Sequence, residues 1–396
     1  MNPCGPRLAI VSDYLEEDWP SMERTANMLT QSLQCRAESA WGAVDQIRPP
    51  MKLRFSRASF LPAPRLAFNA DRLCARMLDY PLYMRGLRGK FDVFHIADHS
   101  YAHLVHALPR ARTGVYCHDL DTFRCLIEPD RAPRPPWFRS MTRLIESGFR
   151  RAAVVFHNSR AVGLELERHG LVDADRLVYA PLGVGDAFRP LRPGEKDVAV
   201  SERVAGLPAG YLLHVGSCIP RKRIDVLLAV FAGLRTMWPE LVLVKASGEW
   251  SEAQRRLIQG LDLERSIVHL TRLSEDELVA LYRRAAATLV TSEAEGFCLP
   301  LIESLACGGV VFASDLGVLR EVGGDAVVFC GAGDVPDWIA RIASVLRNPA
   351  EAPPLDLRLQ QARKYSWSSH SEIISGVYQK LINDANGASR GHPHTA

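Results

Sequence analysis

The sequence predicts an α/β protein of two Rossmann-like domains with parallel sheets, and three observations carry that prediction. Short apolar runs rich in β-branched residues alternate with longer stretches of helical period, the pattern of βαβ units whose strands are covered on both faces. The alternation runs through twice along the 396 residues. Between the two passes, Asp186 to Gly210 is broken by Pro190, Pro193, Pro208 and several glycines and keeps no regular period, as a linker between domains would.

In the first pass, Leu8 to Ser12, Val93 to Ile96, Gly114 to Cys117, Val154 to His157 and Leu177 to Ala180 are the expected strands. Ser21 to Leu33, Tyr101 to Leu108 and Arg139 to Phe149 are expected helices, with Ser21 reading as the N-cap of the first. In the second pass the expected strands are Leu212 to Val215, Leu241 to Ala246, Ile267 to Leu270, Thr288 to Thr291, Val310 to Ala313 and Val327 to Phe329. A helical stretch then follows Tyr365-Ser366-Trp367 and reaches Ile382. The tail, Asn383 to Ala396, is rich in Gly, Ser and His without apolar period and is expected to fray, with His392 and His394 binding nothing.

With 47% hydrophobic and 23% charged residues the chain is an ordinary globular protein, which excludes fibrous, collagen-like and wholly disordered readings. No apolar run reaches the roughly 18 residues of a membrane span, and no apolar core of signal-peptide length follows Met1, so a cytoplasmic enzyme is the expectation. Nine cysteines stand without CxxC pairs, an odd number that fits reduced thiols better than a closed disulfide framework. The net charge of +3 conceals an asymmetry: residues 1–190 hold 26 basic against 21 acidic residues, and residues 191–396 hold 22 against 24. Much of the excess lies in Arg48 to Lys90 and in Arg131 to Arg151 around Trp137 and Phe138. A basic surface tipped with aromatics suits peripheral association with the inner face of an anionic membrane, and a merely solvated face accounts for it equally; no recognition motif for nucleic acid accompanies the charge.

The most specific segment runs from Ser292 to Gly309. A strand ends near Thr291, a loop containing Gly296 follows, Pro300 opens a short helix and Gly308 stops it. Such a helix start offers N–H groups and the positive end of a dipole at the carboxyl ends of the strands, where α/β sheets bind phosphorylated ligands. Glu295 and Glu303 lie at the same end, ready to accept from hydroxyl groups. Two carboxylates beside a phosphate cradle suit a sugar nucleotide, whose ribose and hexose are both rich in hydroxyls. Upstream, His214-Val215-Gly216-Ser217-Cys218-Ile219-Pro220-Arg221-Lys222-Arg223 places a glycine turn before a basic cluster that is expected to open a helix. A departing diphosphate needs its charge neutralised, and Arg221 and Lys222 can do that without metal.

The Glu295 to Glu303 stretch, with Gly296, Phe297 and Pro300 inside it and Cys307-Gly308-Gly309-Val310 after it, resembles the E-x7-E region of GT-B glycosyltransferases, closest to glycosyltransferase family 4 (group 1). The Gly216 to Arg223 segment extends the resemblance, though Ser217 stands where many relatives carry an arginine, leaving Arg221 to supply the guanidinium. Tyr116-Cys117-His118-Asp119 looks like the family's strand ending in a histidine. Asn158-Ser159 and Pro181-Leu182-Gly183-Val184 match further strand ends and turns. After the first strand, where relatives present adjacent glycines, this chain has Trp19-Pro20-Ser21, whose role is unassigned. His95, His99 and His103 near another strand end are weaker candidates.

The resemblance implies a GT-B fold with parallel sheets facing across an interdomain cleft, divided into an acceptor-binding domain over residues 1–187, a nucleotide-sugar-binding domain over 188–364 and a helix over 365–385 that crosses back. It implies a retaining hexosyltransferase, a mannosyltransferase among the options, that uses a GDP- or UDP-linked sugar and a lipid-linked or growing glycan acceptor, with no cofactor or metal. His118, Arg221, Lys222 and Glu295 are the expected catalytic residues. Gly216, Arg221, Lys222, Glu295, Gly296, Phe297, Cys298, Leu299 and Glu303 are expected to hold the donor. Three alternatives stay open: a non-catalytic subunit on the same fold, a sugar-nucleotide epimerase, and a metal-dependent GT-A transferase using the D-x-D triplet Asp119-Leu120-Asp121. A second such triplet, Asp173-Ala174-Asp175, shows how common the pattern is.

Overall fold

The structure, a computed structural model, describes residues 5–35, 41–57, 64–195 and 201–390. Cys4, His392 and His394 lie outside them. Two compact units are present, one made of the chain up to Leu182 together with the segment from Trp367, the other of Gly183–Ser366. The division falls at Leu182 because the next residues already pair with the end of the second unit: the Val184 amide donates to the Tyr365 carbonyl at 3.2 Å and Val184 bridges Ser366.

The first unit holds a six-stranded parallel sheet of β1 (Arg7–Val11), β2 (Ala43–Ile47), β3 (Val93–Ile96), β4 (Thr113–Cys117), β5 (Val154–His157) and β6 (Leu177–Tyr179), in the order β2-β1-β3-β4-β5-β6. The central strands are buried at every position, which is why they read as continuous apolar runs in the sequence. β2 gave no such signal. Asp45 and Gln46 interrupt it, and as an edge strand it needs only one covered side; Arg7 pairs with Asp45 at 3.1 Å and Gln46 donates to Ser12 Oγ at 2.9 Å.

Three helical expectations are corrected. The first helix spans Pro20–Cys35, so Ser21 lies inside its first turn and does not cap it; proline is at home there because the opening N–H has no partner in the helix. The expected helix over Tyr101 to Leu108 is a 3-10 helix, His99–Ala107, opened by Asp98, which accepts from the Ser100 amide at 2.8 Å. At the C-terminus the helix runs Trp367–Arg390, past the Asn383 limit set by composition. It is anchored early: Ser371 meets Ser32 Oγ at 2.8 Å and the Tyr378 hydroxyl lies 3.0 Å from His95 Nδ1.

The second unit repeats the plan with β7 (Leu212–Val215), β8 (Leu243–Ala246), β9 (Ile267–Leu270), β10 (Ala287–Val290), β11 (Val311–Ser314) and β12 (Val328–Cys330), ordered β12-β11-β10-β7-β8-β9 and parallel throughout. One face is packed by the helix Ile224–Arg235, whose Ile224, Leu227, Phe231 and Leu234 are buried, and by Trp338 and Ile342 of the helix Val335–Arg347. The stretch expected to be irregular before β7 includes one short helix, Glu202–Ala205. In both units the carboxyl ends of the central strands emerge together, and those two edges carry the chemistry. No helix among the described residues is long and apolar enough to cross a membrane.

Candidate functional site

In the second unit the chain turns sharply after β7 at Gly216, whose φ of +145° is a conformation that L side chains rarely adopt. The turn after β8 presses on it: a Cβ on Gly248 would lie 2.7 Å from the Ser217 Cα, so the two loops meet backbone to backbone. Arg221 and Lys222 do not open a helix. They sit in a 3-10 turn, Pro220–Lys222, and Arg223, held at φ +47° and paired with Asp225 at 2.8 Å, precedes the helix Ile224–Arg235. The tighter turn aims both cations back towards β10 instead of out along the helix face.

There they meet Glu295. Lys222 Nζ donates to Glu295 Oε1 at 2.5 Å, Arg221 Nη1 donates to Oε2 at 3.1 Å, and Ser292 Oγ adds a bond to Oε1 at 2.7 Å. The loop is pinned by the Glu293 amide on the Arg221 carbonyl at 2.9 Å and by Thr291 Oγ1 on the Lys222 carbonyl at 2.9 Å. Burial alone would raise the Glu295 carboxyl, but Lys222 and Arg221 outweigh it and hold the group below its ordinary value. The carboxylate is therefore ionised and charge-compensated. Lys222 passes directly by the turn, its Cε 3.7 Å from where a Cβ on Gly216 would stand.

Gly296, Phe297 and Cys298 are buried behind Glu295, Phe297 packing edge-on against Tyr365 at 5.3 Å. Cys298, at φ +81°, leads into the helix Leu299–Ala306, which Gly308 closes in the left-handed conformation. Pro300 has no N–H and the Leu301 amide donates to the Cys298 carbonyl at 3.1 Å, so the donors left for an anion come from the loop residues before them. Glu303 is 2% exposed and accepts from the Tyr282 hydroxyl at 2.9 Å.

One cation was missed from the sequence. Lys245 is fully buried at the end of β8 and donates to the Gly216 carbonyl at 2.5 Å, the Ala246 carbonyl at 3.2 Å and the Ser247 carbonyl. Burial pushes its ammonium down to about 8. A lysine inside the apolar run Leu241 to Ala246 was the available signal, since a charge in a covered strand needs partners.

His118 belongs to the first unit, just past β4. Its Nε2 donates to the Ala97 carbonyl at 2.8 Å, and Asn158 Nδ2 donates to the His118 carbonyl at 2.8 Å, tying the ends of β3, β4 and β5 together. Burial pushes the imidazole below its ordinary value against the pull of the Asp98 carboxylate. Asp98 itself bonds Ser100 and lies 3.3 Å from His99 Nδ1. His95 and His103 are buried, His95 Nδ1 3.0 Å from the Tyr378 hydroxyl and His103 Nε2 2.7 Å from the Arg76 carbonyl. In the D-x-D triplet Asp119 accepts the Asp121 amide at 3.0 Å, a local turn, and no cluster of His, Cys, Asp or Glu among the described residues is arranged to hold a metal ion. The eight described cysteines are free thiols.

Two families match the chain: the one described as Glycosyltransferase Family 4 over residues 29–188, and the one described as Glycosyl transferases group 1 over residues 205–364. The serotype-specific mannosyltransferase WbdA of Escherichia coli is 27% identical over 288 residues, 71% of this chain and 35% of that protein. The O-antigen chain mannosyltransferase B of Escherichia coli is 28% identical over 332 residues, 80% of this chain and 84% of its own length. The chain spans about a third of the length of the first of these curated relatives. Among solved structures, sucrose-phosphate synthase from Thermosynechococcus elongatus superposes with a TM-score of 0.73 at 16% identity, over 96% of this chain and 100% of that one. Two parallel six-stranded sheets and these likenesses establish the two-domain GT-B fold.

Proposed function

We propose that this chain, which belongs to the GT-B glycosyltransferases of group 1 and family 4, moves a hexose from a nucleotide diphosphate donor to a lipid-linked or growing glycan acceptor, with mannose the sugar its relatives' names favour. The observation that carries this reading is the convergence of Arg221 and Lys222 on Glu295 beside Gly216. A nucleoside diphosphate gains charge as the glycosidic bond breaks, and cations fixed in advance stabilise that charge with no reorganisation at the moment of reaction. Glu295 pairs with both cations before the donor arrives and offsets one of their two charges, so the diphosphate enters a net positive site by partner exchange. Released from Lys222, the Glu295 carboxylate accepts from hexose hydroxyls, and Glu303 accepts from the ribose diol. Two cations make a metal ion unnecessary, and transfer retains the anomeric configuration, as the family resemblance implies.

The test is calorimetric titration with GDP, UDP and ADP, with and without EDTA, on the wild type and the Lys222→Ala and Glu303→Ala variants. Binding of one nucleotide that survives EDTA and weakens in both variants is the expected result. Binding abolished by EDTA would overturn metal independence, and binding of none would favour a non-catalytic role.

The acceptor reading adds a membrane. In the first unit Leu66, Leu78 and Leu82 are 70, 60 and 61% exposed, Tyr83 in the same basic stretch and Trp137 in the second one are 44 and 61% exposed, and Arg65, Arg85 and Lys90 are exposed along the first stretch. Apolar tips among cations support reversible docking on anionic lipid. Flotation with vesicles of neutral and of anionic lipid checks it; equal binding to both would count against it.

A further inference from the structure

The Trp19-Pro20-Ser21 loop, where relatives present glycines, builds something of its own. Behind β1 in the first unit lies a recess of about 10 Å3, room for one water-sized group, lined by Asp13, Tyr14, Leu15, Trp19, Glu23 and Arg48. Two residues of this lining carry a buried polar atom without a hydrogen-bond partner: Asp13 Oδ2 and Arg48 Nε. Asp13 is 7% exposed, so an orphaned oxygen there is costly and calls for an occupant. Trp19, at the rim, is 48% exposed, an indole face open to solvent.

We propose that this recess is a subsite for one ring of a neutral glycan acceptor, the ring lying on the Trp19 indole and one of its hydroxyls entering to donate to Asp13 Oδ2 and accept from Arg48 Nε. The proposal rests on the glycosyltransferase reading for the source of the sugar, but its own logic is the pairing of orphans. One atom lacks a donor and the other lacks an acceptor, and a hydroxyl supplies both. A carboxylate would face Glu23, and an ammonium would face Arg48, so the matched group is uncharged. Burial first, then the neighbouring Asp98 carboxylate, raise the Asp13 carboxyl well above its ordinary value. A carboxyl oxygen with no partner has lone pairs to offer, and Oδ2 accepts from a hydroxyl that enters. The sugar's apolar C–H face covers the exposed indole, which removes it from water without asking for further polar partners. Arg48 is held in place by Glu23 at 3.4 Å.

Saturation-transfer NMR on the full chain, without nucleotide, tests the subsite with methyl α-D-mannopyranoside as probe and the gluco and galacto glycosides beside it. The expected result is millimolar binding of at least one glycoside by the wild type and by Trp19→Phe, weakened about ten-fold in Trp19→Ala and in Arg48→Gln. Trp19 is exposed enough for its alanine variant to fold, and Asp13→Asn adds a polar swap at constant volume. No binding by the wild type, or wild-type binding by Trp19→Ala, overturns the proposal. Nucleotide titration of the same samples separates the two readings: lost nucleotide binding with sugar binding intact sinks the donor site and leaves the subsite standing, and the reverse pattern sinks the subsite alone.

Discussion

The two sheets share a topology, yet their carboxyl edges are chemically unlike. At the second, Arg221, Lys222 and the buried Lys245 crowd around the Gly216 turn, and the Glu295 carboxylate bonds the first two. At the first, imidazoles lean on backbone carbonyls: His118 on Ala97, His103 on Arg76 and His370 on Pro181. Burial pushes all three below their ordinary values, so they are uncharged near neutral pH. One edge offers fixed positive charge, suited to a diphosphate, and the other offers neutral hydrogen-bonding groups, suited to hydroxyls. A single scaffold has been given two chemistries by the residues at its strand ends.

The comparison breaks most visibly at Lys222. If its charge acts on the leaving diphosphate, Lys222→Ala lowers turnover about 100-fold or more at a temperature where the variant is still folded, the thermal midpoint falling as well because the side chain, 12% exposed, also compensates the buried Glu295. Near wild-type turnover would remove the cationic edge from the mechanism. Lys245 sharpens the contrast through pH. Its folded pKa, about 8, lies below the 10.5 of a free lysine, so between those values the unfolded chain binds the extra proton and stability rises with pH. Denaturant melts of the wild type against Lys245→Met should show the wild type gaining about 3 kcal/mol across that window. A difference independent of pH would mean that the three carbonyls hold the ammonium fully. Smaller again is Glu303→Gln. The Tyr282 hydroxyl still finds an oxygen, so the fold persists, but a neutral acceptor should weaken nucleotide binding about ten-fold.

What could be read from the sequence follows the same division. Covered parallel strands announce themselves by unbroken apolar runs, so all six strands of the second unit and five of the first were legible, and β2 was hidden by Asp45 and Gln46 at an open edge. The glutamate segment was legible because glycine, proline and two carboxylates at fixed spacing leave few alternatives. The direction in which Arg221 and Lys222 point was not, because the choice between a helix start and a 3-10 turn depends on the left-handed Arg223, a residue type that gives no warning of it. Lys245 and Asp13 were overlooked for a related reason. Each is a single charge in or just after an apolar strand, and its meaning comes from partners distant in sequence: Gly216 for the one, Asp98 for the other.

A pair of glycines measures how local the donor edge is. Gly216 and Gly170 both hold positive φ, +145° and +58°, and a Cβ would meet nothing closer than 3.7 Å at the first and nothing within 4 Å at the second. Steric clash is therefore absent from both and each alanine substitution acts through backbone strain alone, about 1 kcal/mol at Gly170, whose φ lies in the left-handed well, and more at Gly216, whose φ lies outside it. Gly170 ends the helix Arg160–Arg168 in the first unit, its amide donating to the Glu167 carbonyl at 2.9 Å. Gly216 carries on its carbonyl the Lys245 ammonium and lies along the path of Lys222. Gly216→Ala is expected to lose more thermal midpoint than Gly170→Ala, and only Gly216→Ala should also weaken nucleotide binding, by a few-fold, because a backbone that relaxes there moves two cations together. A matching loss of nucleotide affinity in Gly170→Ala would mean that the donor edge responds to global stability and not to the geometry of its own turn.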